Sequence, residues 1–314
     1  MAAFTGKAAG NWTAAGQTTW NEVGTPVAGD TVDLNGFAVV MDVTALPVGG
    51  GTITSLTTGV AGGQLTVDLA GLGNSAIDIA TMTAAAGTVL IAVSGTTANT
   101  FTVTGNVDGG TNNLGHGCIE DTTTAGVLTI TGNLTGGSVD ASVAVRKTGG
   151  GTLNVTGNVT AGVGSAHGIE GGGTINVTGN VSGGTGDVAL GIHIGSAATL
   201  SITNGLIKGG SGRMAYGINA LYNSYVTLTN CNLEDGTGGI AYVGRPPAWE
   251  ITANANYHKR YVGDTPLSAP NTYFAIAPLQ ANVKLDTVIY TGYNGTLAAG
   301  VPIIGGRRNS MIGR

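Results

Sequence analysis

The sequence has little charge, few aromatic side chains and only two cysteines. Charged residues make up 9% and aromatic residues 5% of the 314 residues, whereas soluble domains carry about 25% charged residues. The net charge of -5 comes without a cluster of lysine and arginine, which argues against a nucleic-acid or anionic-membrane partner. Cys118 and Cys231 lack metal-ligand spacing, so we expect buried small hydrophobic residues. We predict neither a metal nor a cofactor.

Targeting and membrane segments are also missing from the sequence. The N-terminal stretch MAAFTGKAAGNW has one lysine and no apolar core, unlike a signal peptide. No apolar run reaches the roughly 18 residues of a membrane span. We therefore expect synthesis in the cytoplasm without a signal peptide, no membrane partner, and no route to glycosylation for the N-x-T and N-x-S triplets.

What the sequence does contain is glycine and a repeated phrase. Glycine accounts for 57 residues, and the phrase V-T-G-N-V recurs in variants along the middle of the chain. The threonines of its six copies follow one another at intervals of 22 to 27 residues: Thr104, Thr131, Thr156, Thr178, Thr203 and Thr229. A period in the twenties is typical of a solenoid.

Each copy has the same order of parts: an alternating strand, a Gly-Asn corner, a short apolar pair, a glycine-rich loop and a second apolar strand. This order predicts an all-β fold, a single-stranded parallel β-helix with turns of about 22–27 residues and roughly eight turns in all. Its core should contain a ladder formed by Val103, Ile130, Val155, Val177, Ile202 and Leu228, with the adjacent threonines outside.

Aromatic residues and prolines mark the two ends of the repeat array. Between Ala38 and Ala215 the one aromatic residue is Phe101, and six of the eight prolines follow Arg245. We predict an N-terminal cap or anchor at 1–45, the β-helix at 46–244, and a β-rich docking or trimerisation module at 245–314. Candidate interface residues are the aromatic side chains of both ends: Trp12, Trp20, Phe37, Trp249, Tyr257, Tyr261, Tyr273, Phe274, Tyr290 and Tyr293.

One stripe of the repeats has residues that could support catalysis. Glu120 and Glu170 align in non-adjacent turns, as do His116 and His167, and glycan hydrolysis needs two carboxylates about 5–10 Å apart. However, the intervening turn places Arg146 or Lys147 between them. We therefore interpret the stripe as a charge-balanced ladder, predict no enzymatic activity, and keep a tailspike-type polysaccharide hydrolase or lyase as the alternative.

Two passages resemble parts of tailed-phage virion proteins. The opening GNWTAAGQTTWNEVGTPVAGDTVDLNGFAVVMD has the T-W, P-x-x-G-D-x-V and L-N-G-x-x-V elements at Thr19-Trp20, Pro26 to Val32 and Leu34 to Val39. The passage Asn282 to Pro302 is similar to a closing motif of phage structural proteins, although Lys284 and Asp286-Thr287 replace its usual basic residue and glycine.

The resemblance implies a homotrimeric virion component with a right-handed parallel β-helix, and two roles remain open. A capsid decoration (cement) protein binds the major capsid protein on the outer surface of the shell and needs no chemistry. A tail fibre or tailspike-like protein recognises, and sometimes cleaves, a host surface glycan. The short chain and the unconvincing carboxylate pair favour decoration.

Overall fold

The computed structural model describes residues 1–13, 18–59, 63–85, 89–111, 117–139, 142–164, 166–195, 198–212, 215–220, 224–229, 231–234, 237, 242–244, 248–252, 255–258, 284–285 and 288–291. The chain forms an all-β solenoid of about eight turns in which parallel strands stack one turn upon the next. The predicted fold is confirmed. In the described part of the chain, the single helix is α1 (Leu69–Leu72), which begins where the Asp68 carboxylate accepts a hydrogen bond from the Ala70 N–H. No helix in these ranges is long and apolar enough to cross a membrane.

The strands form three ladders, which we call faces A, B and C. Two of the strands, β8 (Ser75–Thr83) and β10 (Thr100–Asp108), run through the corner between faces A and B and belong to both. Face A also contains β5 (Ala45–Leu46), β12 (Val127–Thr131), β15 (Thr152–Thr156), β18 (Thr174–Thr178), β21 (Thr199–Thr203), β24 (Tyr225–Thr229), β27 (Ala248–Thr252) and β29 (Lys284–Leu285).

Face B contains the short strands that follow the corner: β1 (Ala3–Thr5), β3 (Thr31–Asp33), β6 (Ile53–Thr57), β13 (Leu134–Thr135), β16 (Val159–Thr160), β19 (Val181–Ser182), β22 (Leu206–Lys208), β25 (Asn232–Glu234), β28 (Ala255–His258) and β30 (Val288–Thr291). Face C contains the last strand of each turn: β2 (Gly10–Asn11), β4 (Ala38–Val40), β7 (Gln64–Asp68), β9 (Ile91–Ser94), β11 (Gly117–Asp121), β14 (Val143–Lys147), β17 (His167–Gly171), β20 (Ile192–Ile194), β23 (Ile218–Ala220) and β26 (Tyr242–Gly244).

The core consists of columns of aliphatic side chains, because alternate residues of a strand point to the same side and equivalent residues stack from turn to turn. The predicted column is confirmed by the strand register and by the burial of every member: Val103, Ile130, Val155, Val177, Ile202 and Leu228. The neighbouring threonines Thr104, Thr131, Thr156 and Thr178 are exposed. The outer side of face A from β10 to β21 consists of Thr, Asn, Ser and one Val, and it has no charged residue.

The corner between faces A and B requires glycine. Gly132, Gly157 and Gly179 have φ values of 153°, 149° and 143°, a region that residues with a Cβ rarely adopt. They also stack directly on one another, so that a Cβ on Gly157 would lie 2.1 Å from the carbonyl oxygen of Gly132. Both effects explain why the phrase T-G-N is repeated.

The asparagine after each corner glycine links successive turns. The Asn106 side-chain oxygen accepts a hydrogen bond from the Asn133 N–H at 2.9 Å, and Asn133 accepts one from the Asn158 N–H at 3.0 Å. The series continues through Asn158 to the Asn180 N–H at 3.2 Å and from Asn180 to the Leu206 N–H at 2.8 Å. The asparagines of these N-x-T and N-x-S triplets therefore have a structural role in the corner.

The N-terminal end of the solenoid is filled by aromatic side chains. The indoles of Trp12 and Trp20 are fully buried and make an edge-on contact with their ring centroids 5.2 Å apart, and Phe4 lies 6.2 Å from Trp20. The Trp20 Nε1–H also donates to the Trp12 carbonyl at 3.0 Å. These rings close the apolar end of the core, and their contact with a partner stays a prediction.

Parallel pairing runs through the positions at which we placed domain boundaries. Strand β3 pairs with β6, and β24 pairs with β27. The boundaries at 45 and 244 stay predictions. Of the other interface candidates, Phe37 is half-buried beside β4, and Trp249, Tyr257 and Tyr290 lie in β27, β28 and β30. The remaining four lie outside the described residues: Tyr261, Tyr273, Phe274 and Tyr293.

Candidate functional site

The stripe considered for catalysis lies on the outer side of face C. Glu120, Arg146, Glu170 and His193 are paired in register in four successive turns, and we call them the ionic ladder. The sequence alignment of Glu120 with Glu170 is thus confirmed, and Arg146 lies between them. His116 lies outside the described residues.

The geometry of the ionic ladder favours charge balance over acid–base chemistry. The Arg146 Nε lies 3.9 Å from the Glu170 Oε2, and both side chains are about one-third exposed (32% and 31%). Two turns separate the backbones of Glu120 and Glu170 by about 10 Å. Glycosidases keep one carboxylic acid protonated in apolar surroundings, whereas here an arginine provides a counter-ion between the two carboxylates.

Two histidines of face C, His193 in the ionic ladder and the neighbouring His167, have lowered pKa values. The rings of His167 and His193 pack edge-on with centroids 5.6 Å apart, and His167 Nδ1 accepts a hydrogen bond from the Leu190 N–H at 3.3 Å. Burial, and then the neighbouring His193, lower the pKa of His167 from 6.5 to about 4. Burial also lowers the pKa of His193, opposed by the charge of Glu170. A general base works best with a pKa near the working pH, so His167 is not tuned for this role at neutral pH.

Sequence reasoning missed an ion pair inside the solenoid. The Lys147 Nζ lies 2.7 Å from the Asp121 Oδ2, and both side chains are fully buried. They belong to an inward column of face C that otherwise holds Val67, Val93, Gly171, Ile194 and Ala220. Burying two charges in such a column carries a large desolvation cost, which close pairing only partly offsets.

The alternation of the strands contains a signal for this pair. In the sequence V-A-V-R-K of β14, Val143, Ala144 and Val145 are all buried, and the alternation is regular from Val145 through the half-buried Arg146 to the buried Lys147. The same parity places Asp121 inward after Ile119 in β11. Applying the two-residue period strictly to each charged position would have assigned Lys147 and Asp121 to the core, and Arg146 and Glu120 to the surface.

Other kinds of site find little support in the described residues. No group of three or more His, Cys, Asp and Glu side chains there is arranged to hold a metal ion. Burial, with a contribution from Asp108, raises the pKa of the Cys118 thiol, which disfavours the reactive thiolate. A surface depression of about 300 Å³ lies on face A, lined by the small side chains of Thr44, Asn74, Ser75, Ala76, Thr100 and Thr102.

Comparisons with known proteins give no match for this chain. No protein-family model matches it, and neither does any curated protein or solved structure.

Proposed function

We propose that the chain is a structural protein of a tailed-phage virion, a trimeric decoration (cement) protein that binds the outer face of the capsid and stabilises it. The observation that carries the proposal is the solenoid itself: stacked turns whose corners are joined by a continuous series of asparagine hydrogen bonds. Such an array makes a stiff spacer. The terminal passages that resemble phage virion proteins provide the biological setting.

The charge distribution supports a role without catalysis. Arg146 separates the two carboxylates of the ionic ladder and lies 3.9 Å from Glu170, so the stripe resembles a balanced surface. A direct check is to incubate the protein with host surface polysaccharide and to measure new reducing ends. Release of reducing ends that Glu120→Gln or Glu170→Gln abolishes would contradict the non-enzymatic proposal.

Face A is the surface that we assign to contacts between copies of the chain. From β10 to β21 its outer residues are uncharged, chiefly threonine with Asn154, Asn176 and Ser201. Burying such a face removes no ionised side chain from water, and hydroxyl and amide groups can form hydrogen bonds across the interface. In a trimer with closed three-fold symmetry, face A of every copy is covered by a neighbouring copy.

The decoration role can be tested with shells that lack the protein. Heads assembled without this chain should release their DNA at a lower temperature than complete heads, and adding purified protein should restore the higher temperature because a ligand of the assembled state stabilises it. If the temperature of DNA release is unchanged and particles without the protein fail to adsorb to host cells, the result would instead support the tail role.

A tail fibre or tailspike-like protein that recognises a host glycan is the second candidate. It is favoured by the depression on face A, whose lining of Thr, Ser and Asn side chains offers hydroxyl and amide groups for hydrogen bonds to a sugar. Binding of purified protein to host surface polysaccharide, lost when Thr102 is changed to Lys, would favour this candidate.

A further inference from the structure

The buried pair of Lys147 and Asp121 is arranged for a reaction as well as for attraction. The two residues lie opposite each other in neighbouring strands β14 and β11, and both side chains have no exposed surface. The Asp121 Oδ2 is the one hydrogen-bond partner recorded for the Lys147 Nζ within the described part of the chain. The amine and the carboxyl group are thus held together in an apolar interior.

The two oxygens of the Asp121 carboxyl group have different surroundings. Oδ2 contacts the Lys147 Nζ at 2.7 Å, whereas Oδ1 accepts hydrogen bonds from the Thr123 N–H at 2.9 Å and from the Thr123 Oγ1–H at 2.6 Å. Two donors directed at one oxygen, with the amine at the other side of the group, resemble the oxyanion arrangement that stabilises acyl-transfer intermediates.

We propose that Lys147 and Asp121 form an intramolecular isopeptide bond that joins two adjacent turns of the solenoid. One proton passes from the Lys147 ammonium to Oδ2, which leaves a neutral amine and a neutral carboxylic acid. The Nζ lone pair then attacks Cγ, and the negative charge that develops on Oδ1 is held by the two donors of Thr123. A second proton moves from Nζ to Oδ2, the Cγ–Oδ2 bond breaks, and Oδ2 leaves as water.

The site has the features that promote such a condensation. Both side chains are fully buried, which keeps bulk water from the reacting groups, and fixed proximity replaces a bimolecular encounter with an intramolecular one. The product amide keeps Oδ1 as its carbonyl oxygen, so both hydrogen bonds from Thr123 persist. No oxidant, metal or further reactant is needed.

Neighbouring residues leave room for the lysine side chain in the core. The next position of the inward column is Gly171, paired in register with Lys147, and a Cβ there would lie 2.9 Å from the Lys147 Cβ. On the other side of the pair, Val93 is paired with Asp121. The reacting groups are therefore enclosed between levels of the solenoid, and the resulting bond would close a loop of the chain between two consecutive turns.

Peptide mass spectrometry of the purified full-length protein tests the proposal. Trypsin cleaves after lysine and arginine, so an unmodified chain gives the linear peptides 8–146 and 148–208 with free Lys147 between them. An isopeptide bond blocks cleavage after Lys147 and gives one branched product of 8–146 and 147–208. Its mass should be one water molecule below the sum of the linear sequences 8–146 and 147–208, and fragmentation should place the link between Lys147 and Asp121.

Variants identify the groups that take part. Lys147→Met and Asp121→Ala should give no branched peptide, whereas the matched change Glu170→Gln on the outer side of the same face should leave it in place. Thr123→Val should slow its formation, measured as the branched fraction over time after synthesis. Complete cleavage after Lys147 in the wild-type protein, with both linear peptides at their sequence masses, would overturn the proposal whether or not the variants fold.

Discussion

Replacing one corner glycine by alanine should strongly destabilise the solenoid. In Gly157→Ala the new Cβ would lie 2.1 Å from the Gly132 oxygen and 2.7 Å from the Gly132 carbon, both of them backbone atoms. The clash is relieved only if the two turns separate at the corner. There the Gly132 N–H donates to the Thr156 oxygen, and the Gly157 N–H donates to the Thr178 oxygen, each at 3.0 Å.

The expected cost is the sum of three effects. A Cβ at a φ of 149° costs about 1–3 kcal/mol, overpacking against fixed backbone costs about 1–3 kcal/mol, and weakening one of these hydrogen bonds costs about 0.5–1.5 kcal/mol. Gly157→Ala should therefore lower the free energy of unfolding by about 2.5–7.5 kcal/mol. This is a large part of the stability of a typical domain, about 5–15 kcal/mol.

Gly172→Ala is the matched control. This glycine lies further along the same turn, in the loop after β17, and a Cβ there would meet no atom within 4 Å. Its change should cost no more than about 0.5 kcal/mol. The assay is equilibrium unfolding in guanidinium followed by far-UV circular dichroism, at one protein concentration for all variants. Equal midpoints for the two variants would refute the argument that backbone stacking at the corner requires glycine.

Three further outcomes follow from particular contacts. Asn158→Ala removes the side-chain acceptor for the Asn180 N–H and should destabilise the protein by about 0.5–1.5 kcal/mol in the same assay; an unchanged midpoint would show that solvent replaces the bond fully. The folded-state pKa of His167 is about 4, below its ordinary value of 6.5, so the unfolded chain binds the proton first as the pH falls. The stability that the neutral His167 side chain contributes is thus complete above about pH 6.5 and is lost as the pH falls towards 4. His167→Gln should therefore flatten the curve of unfolding free energy against pH in that window; parallel curves for variant and wild type would contradict the low pKa of His167. Thr156→Lys places a charge on face A and should convert trimers to monomers in sedimentation velocity, whereas Val163→Lys, at an exposed loop position, should not; trimers of both variants would remove face A from the interface.

Much of the fold could be predicted because repeated sequence produces repeated structure. The interval between copies of T-G-N defines the turn, and the alternation of V-T-I-T type strands assigns residues such as Val155 to the core and Thr156 to the surface. The stacking of corner glycines is a consequence of this register that only the three-dimensional arrangement of successive turns makes visible.

The candidate site was only partly predictable. The sequence placed Glu120, Glu170 and a basic residue on one stripe, and the structure brings Glu120, Arg146 and Glu170 into one column. His193, which is paired in register with Glu170, was not anticipated. The sequence left open whether Arg146 or Lys147 lies on the stripe, and the structure places Arg146 there and Lys147 inward.

The number of copies per virus particle tests the central proposal most directly. Quantitative mass spectrometry of purified particles should be calibrated against the major capsid protein, because shell and tail symmetries differ in copy number. A decoration protein should be present at roughly hundreds of copies per head. Roughly six to eighteen copies, confined to tails, would contradict the decoration role, and absence from purified particles would contradict a structural role in the virion.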